Sequence, residues 1–506
     1  MSTLSSAIGG FYSWLKNGHP LARINRVPII TFALLLGMFL LTEGARHREY
    51  TLIHTVGLDT TPSVEKAHNI KAGIARMAQD LFTEIAALPG ENYDLIKDFD
   101  ANRKIVDSEL VEAARNITYT DDALKLHASE PTGEVGPITR LQEGYAQFIA
   151  LTAKARVFHE NGDAASLAVV REIDVLVKNN LLPAADALAM VNDAHNQYEY
   201  ASRAEHFKTA LIAIGGIGGL LVLYLAYVQF FVLTRTFKRG VNPFYAAATA
   251  VAVVFMLYAA NSFRLADKEL YNAGTNAYPS VKALAETRAH LLQAKAEQSI
   301  WLLDRPNADT HQKSFNDFVG KVGKLANGAS VDQIIALTKK GYAATSSGYS
   351  RVGNGDAIPS SLISGSLADE LNNITFNGEL DAATQTVKAY ADFLALDAKI
   401  RGLETQGQHS KAVSLLAGAN PGQGNYVFEQ VVDDAATRGS LGTALKINKD
   451  ELSTSVDRAF AAISLLEWGT PAVLLLVQLL AFGGTLMVRS GASPARAAAR
   501  WRAGKA

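Results

Sequence analysis

"YAQFIALTAKAR" at Tyr145–Arg156 returns as "YADFLALDAKIR" at Tyr390–Arg401, 245 positions later. In both lines the apolar side chains fall three and four apart: Phe148, Leu151, Ala155 and Phe158 in the first, Phe393, Leu396, Ile400 and Leu403 in the second. That spacing is the seam of a packed helix. The likeness extends outward. Gly57, Pro62, Ser63, Val64 and Pro89 recur as Gly274, Pro279, Ser280, Val281 and Pro306 at a constant offset of 217, and "NITY" at Asn116 recurs as "NITF" at Asn373. Agreement of this kind without a gap points to a tandem duplication, with about 40 extra residues in the second copy between Pro306 and Asn373 and about 12 fewer afterwards. The extra length contains "SSGYSRVGNGDAIPSSLISGS", whose serine and glycine content reads as a long mobile loop, either a bland insertion or a binding loop.

Each copy is flanked by apolar runs. Segments 209–233, 243–263 and 468–488 are long and uncharged, and at a rise of ~1.5 Å per residue each can cross a hydrocarbon layer ~30 Å thick. Segment 27–42 is shorter and, behind Lys16, Arg23 and Arg26, resembles a signal sequence; the exit "TEGAR" puts Glu43 where cleavage needs a small residue, so a retained anchor is expected. Four spans leave 1–26, 234–242 and 489–506 on one side. These carry three, three and five Lys and Arg with no Asp or Glu, which marks them as cytoplasmic. The bulk of the chain, 43–208 and 264–467, is then extracytoplasmic and acidic. Both termini lie in the cytoplasm of a multi-pass plasma-membrane protein on this reading.

Helical periodicity runs through both outer segments. Val64, Ala67, Lys71, Ile74, Ala78, Leu81 and Ile85 follow Pro62, a residue suited to a first helical turn, and further helical patterns cover 92–118, 137–161 and 164–208. Short connections make such helices antiparallel neighbours. The expected fold is an all-α membrane protein with four transmembrane helices and two tandem extracytoplasmic four-helix bundles of chemoreceptor-like form. A bundle continuous with its spans can carry a slide or rotation of one helix through the bilayer.

Chemistry is sparse. The chain has no cysteine, eleven scattered histidines and a net charge of −1, which excludes thiol redox chemistry and thiolate zinc sites and gives no electrostatic basis for nucleic-acid binding. It contains no zinc-protease, phosphate-loop or nucleophile-elbow motif, so no enzyme, cofactor or metal is expected. No span contains an ionisable residue, which argues against transport. Lys71 and Arg288 occupy matching seam-like positions and could receive a carboxylate, or lay their stems over apolar surface. Lys154 and Arg156, with counterparts Lys399 and Arg401, could form an anion or partner site, or a solvated flank. Gly215 and Gly219, four apart, permit close approach of two spans. On the cytoplasmic side, Arg235, Lys238, Arg239, Arg496, Arg500, Trp501 and Arg502 are available to a partner or to anionic lipid. Asn116-Ile-Thr118 and Asn373-Ile-Thr375 read as polar groups at helix ends.

The order of basic N-terminus, span, helical domain, inner hairpin, second domain, last span and basic tail resembles the actinobacterial GlnX-type membrane proteins. "YAQFIALTAKARVFHENGD" with "NNLLPAADAL", and "AKAEQSIWLLDR" with "HQKSFNDFVGKV", carry the resemblance locally. It implies a transmembrane relay from extracellular aspartate, glutamate or glutamine, sensed through a glutamine-binding-type lipoprotein, to the soluble serine/threonine protein kinase G. An alternative is a structural membrane scaffold that oligomerises through its bundles. Dimerisation is left open by either reading.

Overall fold

The computed structural model describes residues 20–87, 93–118, 133–236, 240–326, 329–346, 348–353, 357–432 and 440–491. In chain order the first half contains α1 (Pro20–His54), a π-helical segment (Thr55–Thr60), α2 (Thr61–Ala86), α3 (Tyr93–Arg115), α4 (Val135–Glu160), α5 (Ala165–Leu176), a second π segment (Val177–Leu181), α6 (Leu182–Tyr227) and a third (Val228–Thr236). The second half contains α7 (Pro243–Tyr271), a π segment (Asn272–Ala277), α8 (Tyr278–Leu303), α9 (Ala308–Gly323), β1 (Lys324–Leu325), α10 (Val331–Gly341), β2 (Tyr342–Thr345), β3 (Gly348–Arg351), β4 (Ile363–Ser364), α11 (Ser366–Leu371), α12 (Glu379–Thr405), α13 (His409–Ala417), α14 (Gly424–Val432) and α15 (Ser440–Arg489). The correspondence seen in the residues holds in the elements: the π segments at 55–60 and 272–277, and α2 and α8 after them, begin and end 217 positions apart.

Two compact units emerge. One comprises the described residues to His54, Ala201–Leu270 and those from Val456; the other comprises Thr55–Tyr200 with Tyr271–Ser455. In the first unit, four helical stretches are long and apolar enough to cross a membrane. Their outward faces carry Phe32, Leu36, Leu223, Leu257, Leu475 and Leu479, and Leu223 and Leu257 are each 67 % exposed. Leaving a leucine in water forgoes ~1.5–3 kcal/mol per side chain, so hydrocarbon is the solvent these faces match. The chain reads as a membrane protein. Between the spans, Tyr245 and Thr485 hydroxyls meet at 2.7 Å and the Asn242 amide donates to the Gly484 carbonyl at 3.1 Å.

The spans approach closely at a glycine other than the expected pair. A Cβ at Gly218 would press on Met256, whereas Cβ atoms at Gly215 or Gly219 would meet open space. Gly218 lies on the buried stripe with Ile214 and Leu221, and Gly215 lies off it.

In the second unit the two tandem helical segments pack against each other through shared helices. α2 and α8 are buried on nearly every side, because each serves both halves. Ala72 and Ala75 of α2 join the core of Leu291, Leu292 and Phe393, while Ala296 and Ile300 of α8 join the core of Phe82, Phe148 and Leu181. The Thr83 and Ser299 hydroxyls meet at 2.8 Å across this seam. Alanine, serine and threonine on the second face of each helix allow this approach; a single seam of large residues would have left that face to water. The repeated helix behaves as its spacing requires: Phe148 and Ala155, and likewise Phe393 and Ile400, are at most 1 % exposed.

The serine- and glycine-rich stretch expected as a mobile loop is folded over its described residues. β2 and β3 form an antiparallel hairpin, and β1 pairs with β4. Gly348, at φ 146°, is obligatory there, since any Cβ would collide with the Thr375 carbonyl that accepts the Tyr349 N–H at 2.7 Å. A second difference between the halves lies nearer the C-terminus. The first half runs from α5 through its π segment into α6 without a break, whereas the matching stretch of the second half is eleven residues longer and is divided into α13, α14 and α15.

Candidate functional site

Two matched sets of polar bonds tie the ends of the helices together. In the first half the Asn116 amide donates to Ser63 Oγ at 3.0 Å, Glu134 Oε2 accepts the Thr118 N–H at 2.7 Å, and Glu134 Oε1 accepts the Asn192 amide at 2.9 Å. In the second half Asn373 donates to Ser280 Oγ at 2.9 Å, Glu379 Oε2 accepts the Thr375 N–H at 2.6 Å, and Glu379 Oε1 accepts the Asn448 amide at 2.7 Å. Each set joins the first helix of its half, the Asn-Ile-Thr turn, the helix of the repeated line and the long helix that continues into a span. The two Asn-Ile-Thr triplets therefore act as the helix-end polar groups their composition implies. Buried polar groups so joined hold four chain segments in one arrangement.

The singled-out cations are dispersed. Lys71 is buried, with Nζ 2.6 Å from Asp186 Oδ1, so the carboxylate it can receive is supplied by the same chain. Arg156 grips both oxygens of Glu84 at 2.8–3.0 Å and lies over the Phe99 ring. Its counterpart Arg401 donates to Asp397 at 2.7 Å between the rings of Trp301 and Phe315. Lys154 is exposed, with its ammonium 5.8 Å from the centre of the Phe158 ring. Lys399 sits on the rim of a cavity of 350 Å³ with Lys411 and Gln423, and Arg288 lines another of 290 Å³ with Asn69, Lys446 and Lys449. The six form no common site. Lys238, Arg239, Arg496, Arg500, Trp501 and Arg502 lie outside the described residues; of Arg235 only the helical backbone is described.

A recess of 1250 Å³ was not legible in the residue pattern. It opens between α2 and α3 on one wall and α13 and α14 on the other, lined by Arg76, Asp94, Asp98, Asn102, His409, Ser410, Asn420, Gln423, Asn425 and Glu429 among others. Arg76 anchors its floor. The guanidinium is bonded to Glu429 and stands 3.6 Å from Asp80 Oδ1. Asp80 is 1 % exposed, and burial pushes its carboxyl up to about 8 against the pull of Arg76. Beside this group, fully buried Lys295 donates to Gln298 Oε1 at 3.1 Å, and burial brings it down to about 7. A guanidinium, carboxylates and side-chain amides around water-accessible space are suited to holding a small polar ligand.

The matched elements of the first half supply a comparison for this recess. At the corresponding place in the first half, α5 and its π segment close on α8: Arg171 bonds both oxygens of Asp304 at 2.6–2.9 Å, and Lys178 bridges Asp174 and Glu297 at 2.8 and 2.5 Å. The space left there is 20 Å³. The open recess exists where the second copy carries its eleven additional residues, including the "GANPGQG" turn between α13 and α14. The one signal that could have revealed it is that second length difference. Among the described residues no group of three metal-ligating side chains occurs.

Residues 52–201 match the family model described as an actinobacterial sensor domain. No curated protein and no solved structure matches the chain. The matched segment contains α2 to α5, the first polar latch and the α2–α3 wall of the recess.

Proposed function

We propose that this chain is a multi-pass plasma-membrane sensor whose Thr55–Tyr200 and Tyr271–Ser455 unit faces outward and whose short basic segments face the cytoplasm. The observation that carries this reading is continuity: each of the four apolar stretches belongs to an uninterrupted helical run that also supplies a helix of the sensor-matched segment or of its second copy. The π segments at 55–60 and 272–277 fall where the chain passes from one unit to the other. Such segments inside α-helices are frequent at hinges and functional sites. A change in how the outer helices pack can then alter the rotation or height of a span.

The signal, on the strength of the resemblance given above, is amino-acid availability. It reaches the outer unit directly in the recess floored by Arg76 or through a solute-binding lipoprotein, and it passes inward to a soluble serine/threonine kinase. The chain itself performs no catalysis in this scheme. Basic residues of the inner hairpin and tail, Arg235 and Arg500 among them, serve lipid or kinase contact.

Hydrogen exchange on the full chain in lipid nanodiscs tests it. Aspartate, glutamate, glutamine or the loaded lipoprotein should change protection in the peptides spanning 55–60 and 272–277. Unchanged exchange in those peptides under all additions would reject the relay and leave the scaffold reading.

A further inference from the structure

The two polar latches share three matched bonds, and a buried acid stands in the second where the first has an alanine. Ala113 on α3 corresponds to Glu370 on α11, both three residues before the matched asparagine. Glu370 is 2 % exposed and Glu379 fully buried, and neither oxygen of Glu370 has a hydrogen bond of good geometry. Burial first, and then the neighbouring Glu379, hold the Glu370 carboxyl well above the usual carboxylate range. Ser280 from α8 partly offsets this. Glu379 is also raised, burial outweighing the Thr375 and Phe376 N–H groups and the Asn448 amide. From β2, Tyr342 faces Glu379, with the Arg351 guanidinium 3.3 Å from the Tyr342 hydroxyl. Two carboxylates cannot both be ionised in one buried space without strong repulsion.

We propose that Glu370 and Glu379 form a one-proton site that the first half lacks, so that the outer unit binds a proton as a ligand. With the proton on Glu370, its O–H can serve the Glu379 carboxylate, and α11, the 373–376 turn and α15 stay latched to α8. When the O–H bond breaks and the proton passes to water, two anions face each other and the latch loosens. The sign follows from linkage. Above the ordinary Glu value of 4.5 the unfolded segment has released its proton while the native pair still holds it, so the latch weakens as pH rises toward the pair's native pKa. One linked proton changes the opening equilibrium by at most ~10-fold per pH unit. The site requires no ligand in the Arg76 recess.

Hydrogen exchange of the full chain in nanodiscs at pH 5.5, 6.5 and 7.5, corrected for intrinsic rates, reads both latches in one sample. Opening in peptides covering 366–380 and 440–450 should rise up to ~100-fold over two pH units, while peptides covering 113–118 and 188–196 change less than ~3-fold. Glu370→Gln should abolish the difference by fixing a neutral side chain, and Glu370→Ala should make the second latch behave like the first. The proposal is overturned if both latches follow pH alike, if Glu370→Gln retains the response, or if replacing sodium with choline at constant pH reproduces it, since a metal ion would then be the ligand. Loss of the pH response with an intact amino-acid response would overturn this inference and leave the sensor reading standing.

Discussion

The first latch gives a quantitative test of how the long helices are held. Glu134 is 2 % exposed and accepts the Thr118 N–H at 2.7 Å and the Asn192 amide at 2.9 Å. Glu134→Gln keeps the shape but converts one acceptor into an NH₂ that faces a donor. A charge-assisted bond worth ~1.5–3 kcal/mol is lost and the other falls to a neutral bond of ~0.5–1.5 kcal/mol. The neutral amide is cheaper to bury, and Asn192 retains its bond to the Leu188 carbonyl at 3.1 Å, which together return part of that loss. A net cost of ~2 kcal/mol, or ~30-fold in local opening, is expected. Hydrogen-exchange mass spectrometry on peptides covering 113–118 and 188–196 measures it in the intact chain. Glu143→Gln, on the exposed face of the same helix, is the control and should shift those peptides by less than ~0.5 kcal/mol. If Glu134→Gln and Glu143→Gln behave alike, the polar bonds do not hold the helix ends and the latch argument fails for both halves.

Arg156→Ala should destabilise the Thr55–Tyr200 and Tyr271–Ser455 unit by ~1.5–3 kcal/mol in urea titrations, because it strands a Glu84 carboxylate whose side chain is only 10 % exposed; Arg156→Lys should recover part of that, since an ammonium cannot reproduce the two-pronged contact. Gly218→Leu should lower the thermal midpoint and yield of the detergent-solubilised protein by forcing Met256 aside, whereas Gly215→Leu should leave both near the unmodified values. Burial effects beneath the recess predict opposed pH trends. Asp80 keeps its proton to about 8 in the native state, so its contribution falls as pH rises from 3.8 to about 8, and Asp80→Asn should flatten that fall. Lys295 is neutral above about 7 while the unfolded chain holds the proton to 10.5, so its contribution rises across that window, and Lys295→Met should remove the rise in thermal midpoint.

Much of the architecture was written in residue spacing. Phe148 and Phe393 announce the same buried stripe, and the offset of 217 between Pro62 and Pro279 is the offset between α2 and α8 themselves. Periodicity could not show that α2 packs on two cores, because the alanines and threonine of its second face read as weakly apolar surface. The hairpin of β2 and β3 escaped for a similar reason: four-residue strands rich in alanine, serine and glycine carry little alternation. The cations chosen from the sequence were conspicuous for their charge, and charge in a packed bundle is most often met by a partner on the same chain, as Lys71 is by Asp186. Arg76 gave no such signal, since its importance depends on α14 arriving from 353 positions away with Glu429.

Comparison of the halves separates what the shared scaffold needs from what only the second copy contains. The latch asparagines, their serine partners and the glutamate that joins them are present twice, so holding the helix ends is a requirement of the scaffold. Among the described residues, the 1250 Å³ recess has α13 and α14 of the second half as one wall, and the Glu370–Glu379 pair lies within that half. Neither is needed for folding in the first half, where α5 closes on α8 and Ala113 fills the place of Glu370. An unpaired buried acid and a polar void each cost stability, and the first half shows that the fold has a cheaper solution for both. Retaining the costlier form in one copy is the expected mark of a site that responds to something, with the other copy as the rigid frame against which it moves. On that argument, pH-dependent changes should concentrate in α11 and the start of α15, and ligand-dependent changes in α13 and α14 together with the π segments at 55–60 and 272–277.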